Sequence, residues 1–136
     1  MKPLIAALCD DVKVRDDGLM DIVGAAPEWI GVDRFPWKGT LPFALLLQFE
    51  AVDDPSDLGL SVAVVRASDG AVVGGLQAGI IRQERSRELL EGAPPYLPYA
   101  LDLDVELSSE GQHAVVVRDR AGTRLAFVVF VVRLNT

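Results

Sequence analysis

Cysteine and histidine, two residue types on which many catalytic sites depend, are almost absent from this chain. Among its 136 residues are one cysteine, Cys9, and one histidine, His113. A single cysteine excludes an intrachain disulfide. Any Ser/His or Cys/His arrangement would need His113 as its base, and this residue lies in a predicted strand. We therefore predict no catalytic residues, no cofactor and no enzymatic activity.

Positive charge and long apolar runs are also scarce. Lysine and arginine number 13 against 20 acidic residues, so the net charge is −7 and the pI is about 4.6. An acidic surface repels phosphate backbones and anionic lipid, which excludes nucleic acid and membranes as expected partners. No stretch reaches the roughly 18 apolar residues of a membrane-spanning helix, and the run ending at Cys9 is too short for a signal peptide. We expect a first strand there and a cytoplasmic protein.

Apolar residues are abundant, and they occur in short runs bounded by turn residues. Half of the chain is hydrophobic, enough for the core of one domain over residues 1–136. Asp17-Gly18, Asp69-Gly70 and Gly122 mark hairpin turns, and Gly74-Gly75 marks a bulge or bend in a strand. This pattern predicts an all-β, antiparallel two-sheet sandwich of eight or nine strands, with a closed barrel as the alternative. At most one short helix is expected, over residues 82–91.

The stretch 123–134, TRLAFVVFVVRL, is apolar on both alternating faces. A strand of a two-layer sandwich has one inner and one outer face, so an apolar outer row needs a cover. We predict an outer row of Phe127, Val129 and Val131, covered by a second subunit, by a protein partner or by residues 78–98 of the same chain. The expected function is a non-enzymatic interaction or structural module that forms a homo-oligomer or binds a protein.

Aromatic and acidic loops support an alternative function. Trp29, Phe35 and Trp37 cluster around a proline, where they would bind a sugar or partner, or else plug the open end of the core. Asp10-Asp11, Asp16-Asp17 and the run Asp53, Asp54 and Asp57 would bind calcium if they converged, or else form solvated turns. The alternative is thus a sugar- or calcium-binding domain, although no metal ligand is assigned.

The lone cysteine and histidine have structural interpretations. Cys9 follows an apolar run and precedes two aspartates, which raise a thiol's pKa, so we expect it to be buried and unreactive. For His113 we expect a structural or a solvated position rather than a catalytic one.

The last third of the chain resembles the closing hairpin of immunoglobulin-like sandwiches, in which His113 occupies the position of a usual tyrosine. The resemblance implies that Val128, Phe130 and Val132 face the core. It is carried by Gly111, His113, Val115, Val117, Gly122, Phe130 and Val132.

Most of the chain also resembles an uncharacterised family of small bacterial proteins, for which the resemblance implies a β-sandwich and no particular activity. The matching residues are Cys9, Asp10, Asp11, Gly18, Ile22 and Gly24.

Overall fold

The computed structural model describes residues 1–48, 59–78 and 96–135, and these form ten strands and no helix. The all-β prediction is confirmed. The helix predicted over 82–91 lies outside the described residues, as does most of the segment 78–98 that was a possible cover. The strands are β1 Lys2–Leu8, β2 Asp11–Val14, β3 Met20–Val23, β4 Trp29–Val32, β5 Trp37–Gln48, β6 Leu60–Arg66, β7 Val72–Ala78, β8 Tyr96–Leu107, β9 Gly111–Asp119 and β10 Arg124–Leu134.

Eight of these strands form one curled sheet in the order β1-β5-β8-β7-β6-β9-β10-β4, while β2 and β3 form a separate hairpin. All neighbours are antiparallel except β10 and β4, which are parallel. The prediction of a purely antiparallel sheet is therefore wrong for β4, and two packed sheets with an immunoglobulin-like arrangement are not confirmed.

The curl follows from a short connection between opposite parts of the sheet. β4 is one edge strand and β5 lies second from the other edge, yet only four residues separate Val32 from Trp37. Five extended residue steps span at most about 17 Å, so the two ends of the sheet must approach each other. β1 accordingly contacts β10. The inner surface of the curl is therefore enclosed.

The hydrophobic core fills this enclosed side. β8 alternates as its sequence predicts: Leu103 and Leu107 are fully buried, and Asp104 points to solvent. The partner strand β5 buries Phe43 and Leu45 completely. Because the inner rows of β5 and β8 are in register, their large apolar side chains lie side by side, as Phe43 does with Leu101.

The predicted turns at Asp17-Gly18, Asp69-Gly70 and Gly122 are confirmed, and all three glycines have positive φ. In the second turn the Arg66 guanidinium donates to both carboxylate oxygens of Asp69, at 3.0 and 2.8 Å. This hydrogen bonding, reinforced by the backbone NH of Ala71, lowers the pKa of Asp69 to about 2.

Gly74 and Gly75 join the two halves of the large sheet. Among the described residues, β7 pairs with β8 only through Gly74 to Val105 and Gly75 to Asp104, and the opposite side of β7 has a register shift against β6. A Cβ on Gly74 would lie 2.7 Å from the Val105 Cα, and one on Gly75 would lie 2.9 Å from the Ala63 Cα. We call this short pairing the glycine seam. It confirms the predicted irregularity and gives it a steric cause.

Candidate interaction surface

The two faces of β10 differ sharply in exposure. Phe130 and Val132 are buried, and Val128 packs against the core. On the other face Phe127 and Val129 are 50% and 51% exposed. The predicted orientation of this strand is therefore confirmed, including the inward direction implied by the hairpin resemblance.

Trp29 extends the apolar outer face of β10 onto β4. It pairs directly with Val131 in the parallel ladder, and directly paired residues point to the same side of a sheet. Its side chain is 46% exposed. The ring lies along its own strand over Gly31, where an added Cβ would be 2.8 Å from the ring carbon Cζ3. We call Trp29, Phe127, Val129 and Val131 the outer row.

An arginine lies over the aromatic ring at each end of the outer row. The Arg124 guanidinium carbon is 5.0 Å from the centroid of the Phe127 ring, and that of Arg133 is 5.7 Å from the Trp29 ring. Both distances are typical of cation–π contacts. The row is therefore an apolar strip with a positive charge at each end.

Sequence reasoning missed these two arginines. Arg133 follows Val129 and Val131 on the same alternating set, and this alternation alone could have placed it on the outer face of β10. Alternation alone does not place Arg124 on the same face as Phe127. Its position there depends on a register shift between Arg124 and Ala126, which the sequence does not reveal.

The outer face continues across β9, β6 and β7, but less of it is exposed there. Ala114 and Val116, which pair with residues of the outer row, are buried although they lie outside the core cluster. Val65, next to Ala114, is partly buried, and of the side chains described on this face of β9, β6 and β7 only Val72 is largely exposed, at 71%. The accessible apolar strip is thus on β10 and β4.

The other two aromatics of the predicted loop have a different role. Phe35 and Trp37 pack against the core, and Trp37 is the first residue of β5 rather than part of a loop. Its ring covers Gly39, where an added Cβ would be 2.9 Å from the ring carbon Cζ3. These two residues plug the end of the core, whereas Trp29 is on the surface, so the three do not form one site. The three aromatics are separated because β4 directs Trp29 to the outer face of the sheet, whereas β5 directs Trp37 to the inner face.

His113 is a core residue. It is 1% exposed, and its ring stacks on Phe130 with centroids 5.6 Å apart. Nδ1 lies 3.0 Å from the carbonyl oxygen of Gly111, so this nitrogen donates. Nε2 is buried and has no hydrogen-bond partner in the described part of the chain. The structural interpretation is confirmed and the solvated one is wrong.

Cys9 is buried, as expected. Its thiol lies 3.6 Å from the carbonyl oxygen of Pro42. Burial raises the pKa of the Cys9 thiol, and the nearby charges of Asp11 and Asp10 raise it further. A thiol with little thiolate and little exposure is a poor nucleophile.

The acidic stretches do not converge within the ranges 1–48, 59–78 and 96–135. No group of three or more candidate metal ligands occurs among these residues. Asp17 and Asp21 instead contact the guanidinium Nε of Arg15, at 3.7 and 3.5 Å. The run Asp53, Asp54 and Asp57 lies outside the described residues.

Comparisons with protein-family models, with curated proteins and with solved structures found no match to this chain. Membership of the bacterial family that the chain resembles therefore stays a prediction. The described residues contain no helix long and apolar enough to cross a membrane.

Proposed function

We propose that this protein is a non-enzymatic, cytoplasmic interaction module that self-associates through the outer row on β10 and β4. The observation that carries the proposal is the contiguous exposure of Trp29, Phe127 and Val129, each about half accessible on adjacent strands. Exposed apolar patches on a folded domain are typical of interaction sites, and aromatic residues contribute most to such contacts.

The energy available from the outer row indicates a weak association. Complete burial of one large apolar side chain stabilises by about 1.5–3 kcal/mol. Since the three most exposed members are already half covered, burying the remainder gives on the order of 2–5 kcal/mol. Association itself costs about 4–15 kcal/mol, so contacts beyond the row are required. We therefore expect assembly in the micromolar to millimolar range.

A second candidate function is sugar binding at Trp29, which is favoured by the exposure of its ring. The Arg133 guanidinium already lies over this ring, so a sugar would have to displace it or bind the opposite face. Quenching or a shift of tryptophan fluorescence on titration with sugars would support this candidate. The same titration of a Trp29→Phe variant should then be silent.

Light scattering coupled to size-exclusion chromatography tests the self-association. Between about 10 µM and about 1 mM, the mass of the wild type should rise above that of a monomer. Val129→Asp with Val131→Asp should stay folded and remain monomeric. Val72→Asp places one aspartate, half of that added charge, on a more exposed valine of β7, and should associate like the wild type.

A wild type that is monomeric at the highest concentration would refute self-association, and the row would then be covered within the chain or by another protein. If the double aspartate variant fails to fold, Val129→Thr with Val131→Thr reduces apolarity while keeping strand propensity. If the threonine variant folds and associates as strongly as the wild type, the outer row is not the interface.

A further inference from the structure

A second exposed apolar surface lies on the β2–β3 hairpin. Leu19 and Val23 are 57% and 58% exposed. The register pairs Asp11 with Val23 and Lys13 with Asp21, so Asp21 and Val23 share one side of the hairpin, and alternation places Leu19 there too. The opposite side is half-buried, and β2 contacts β5 and β8. The hairpin thus presents an apolar pair to solvent on the side facing away from the sheet.

The charges around these two surfaces are opposite. Residues 10–24, which we call the acidic hairpin, contain five aspartates, one lysine and one arginine, a net charge of −3. Residues 111–135, which contain most of the outer row, have four arginines and one aspartate, a net charge of +3 in a chain of −7. Two carboxylates, Glu110 and Asp33, accept hydrogen bonds from Leu134 and Asn135 and reduce this positive charge at the β4 end of the row. Acidic groups beside an apolar pair match arginines beside an apolar strip.

The spacing of the apolar residues matches as well. Leu19 and Val23 are four residues apart, as are Phe127 and Val131. In extended chains both separations are about 13 Å. By contrast, two outer rows placed face to face would bring together Arg124 and Arg133 from both copies, and like charges oppose such a contact.

We propose that the outer row of one copy binds the acidic hairpin of a second copy, so that the self-association is head-to-tail rather than row-to-row. This inference rests on the proposed function and specifies its partner surface. Leu19 and Val23 would contact the apolar strip. Asp16, together with Asp17 and Asp21, would face the two arginines, the last two in exchange for their contacts with Arg15. A contact between two different surfaces produces open chains or closed rings, so the assembly is not confined to dimers.

Mixing two singly defective variants tests this arrangement. The row variant has Val129→Asp with Val131→Asp, and the hairpin variant has Leu19→Lys with Val23→Lys. Each should associate at least about tenfold more weakly than the wild type. Their mixture should form a 1:1 complex, since the intact hairpin of one meets the intact row of the other. Circular dichroism and melting curves establish that both variants are folded.

Each alternative outcome identifies what fails. If the hairpin variant associates like the wild type while the row variant is monomeric, the row is an interface but the acidic hairpin is not its partner. If both are monomeric and the mixture stays monomeric, the head-to-tail contact is wrong. A monomeric wild type overturns the inference together with self-association itself.

Charge neutralisation gives a second test that does not depend on buried positions. Arg124→Gln with Arg133→Gln keeps both exposed side chains long and should weaken association several-fold. Raising salt from about 50 mM to about 500 mM should likewise weaken the wild-type assembly, because screening reduces attraction between opposite charges. Assembly that strengthens with salt and in the glutamine variant would indicate a row-to-row contact instead.

Discussion

The glycine seam predicts a large and specific loss of stability when a single methyl group is added at Gly74. This residue pairs with Val105 at one of the two positions that join β7 to β8 in the described part of the chain. An added Cβ would lie against the carbonyl oxygen of Asp104 and 2.7 Å from the Val105 Cα. Both are backbone atoms, which cannot rotate away, so the strands must separate.

The expected loss of stability in Gly74→Ala is the sum of two contributions. Overpacking a tightly packed position costs about 1–3 kcal/mol. If the short pairing opens, each backbone hydrogen bond lost costs a further 0.5–1.5 kcal/mol, roughly. We therefore expect Gly74→Ala to lower the free energy of unfolding by about 2–5 kcal/mol. Gly75→Ala should lower the free energy of unfolding by about 1–3 kcal/mol more than Gly74→Ala does. The reason is that Gly75 has a φ of 143°, a conformation that almost only glycine adopts.

Two other glycines provide matched controls for the assay. Gly70 has a φ of 71° with nothing within 4 Å of an added Cβ, so Gly70→Ala measures backbone strain alone, about 1–2 kcal/mol. At Gly59 an added Cβ makes only ordinary contact, 3.5 Å from the Arg120 side chain, so Gly59→Ala should change stability by less than about 1 kcal/mol. Urea unfolding followed by circular dichroism gives all four values. The reasoning is refuted if Gly74→Ala is no worse than Gly59→Ala.

Three further predictions concern single side chains. Trp37→Ala should destabilise the protein by about 3–5 kcal/mol, because it opens the end of the core. Trp29→Ala in dilute solution should destabilise it by under about 1 kcal/mol, because Trp29 is on the surface. Equal losses of stability in thermal melts would contradict these separate roles. The Cys9 thiol should react at least about tenfold more slowly with a thiol reagent in the native protein than in urea, and equal rates would show it to be accessible. Asp69→Asn should be less stable than the wild type at pH 7 and equally stable near pH 1. The pKa of Asp69 is lowered from 3.8 to about 2, so its stabilisation is fully present above about pH 4 and is lost as pH falls through 2. A difference in melting temperature that persists near pH 1 would exclude the carboxylate as its cause.

Local patterns predicted the parts of this fold that depend on neighbouring residues. Asp-Gly pairs located two hairpins because their turn geometry requires a positive φ. The alternation of Leu103 and Leu107 with acidic residues identified the buried face of β8, because one face of a strand contacts the core. The orientation of β10 came from its hairpin resemblance rather than from its composition, which is apolar on both faces.

Features that depend on distant residues were not predictable. The parallel pairing of Trp29 with Val131 joins strands about a hundred residues apart, and nothing near either residue encodes it. Without that pairing, Trp29 is grouped with Phe35 and Trp37, its neighbours in the sequence. The outer row therefore could be predicted on β10 but not on β4, and the acidic hairpin was not identified as a second apolar surface.

His113 provides a last test, because it places a polar atom in the core that has no hydrogen-bond partner among the described residues. Its Nδ1 donates to the carbonyl oxygen of Gly111, so in the neutral ring Nε2 carries a lone pair that finds no donor among the described residues. An unsatisfied buried polar atom costs about 1–3 kcal/mol, while the hydrogen bond that would be lost contributes about 0.5–1.5 kcal/mol.

We therefore expect His113→Leu to change the free energy of unfolding by about 0 to +2 kcal/mol, a gain or no effect where most core substitutions destabilise. His113→Phe keeps the stacking on Phe130 and separates that contribution from the loss of the ring nitrogens. Both variants are compared with the wild type in urea at neutral pH. If both lose more than about 2 kcal/mol, Nε2 has a partner in the native protein, and His113 is held by two hydrogen bonds instead of one.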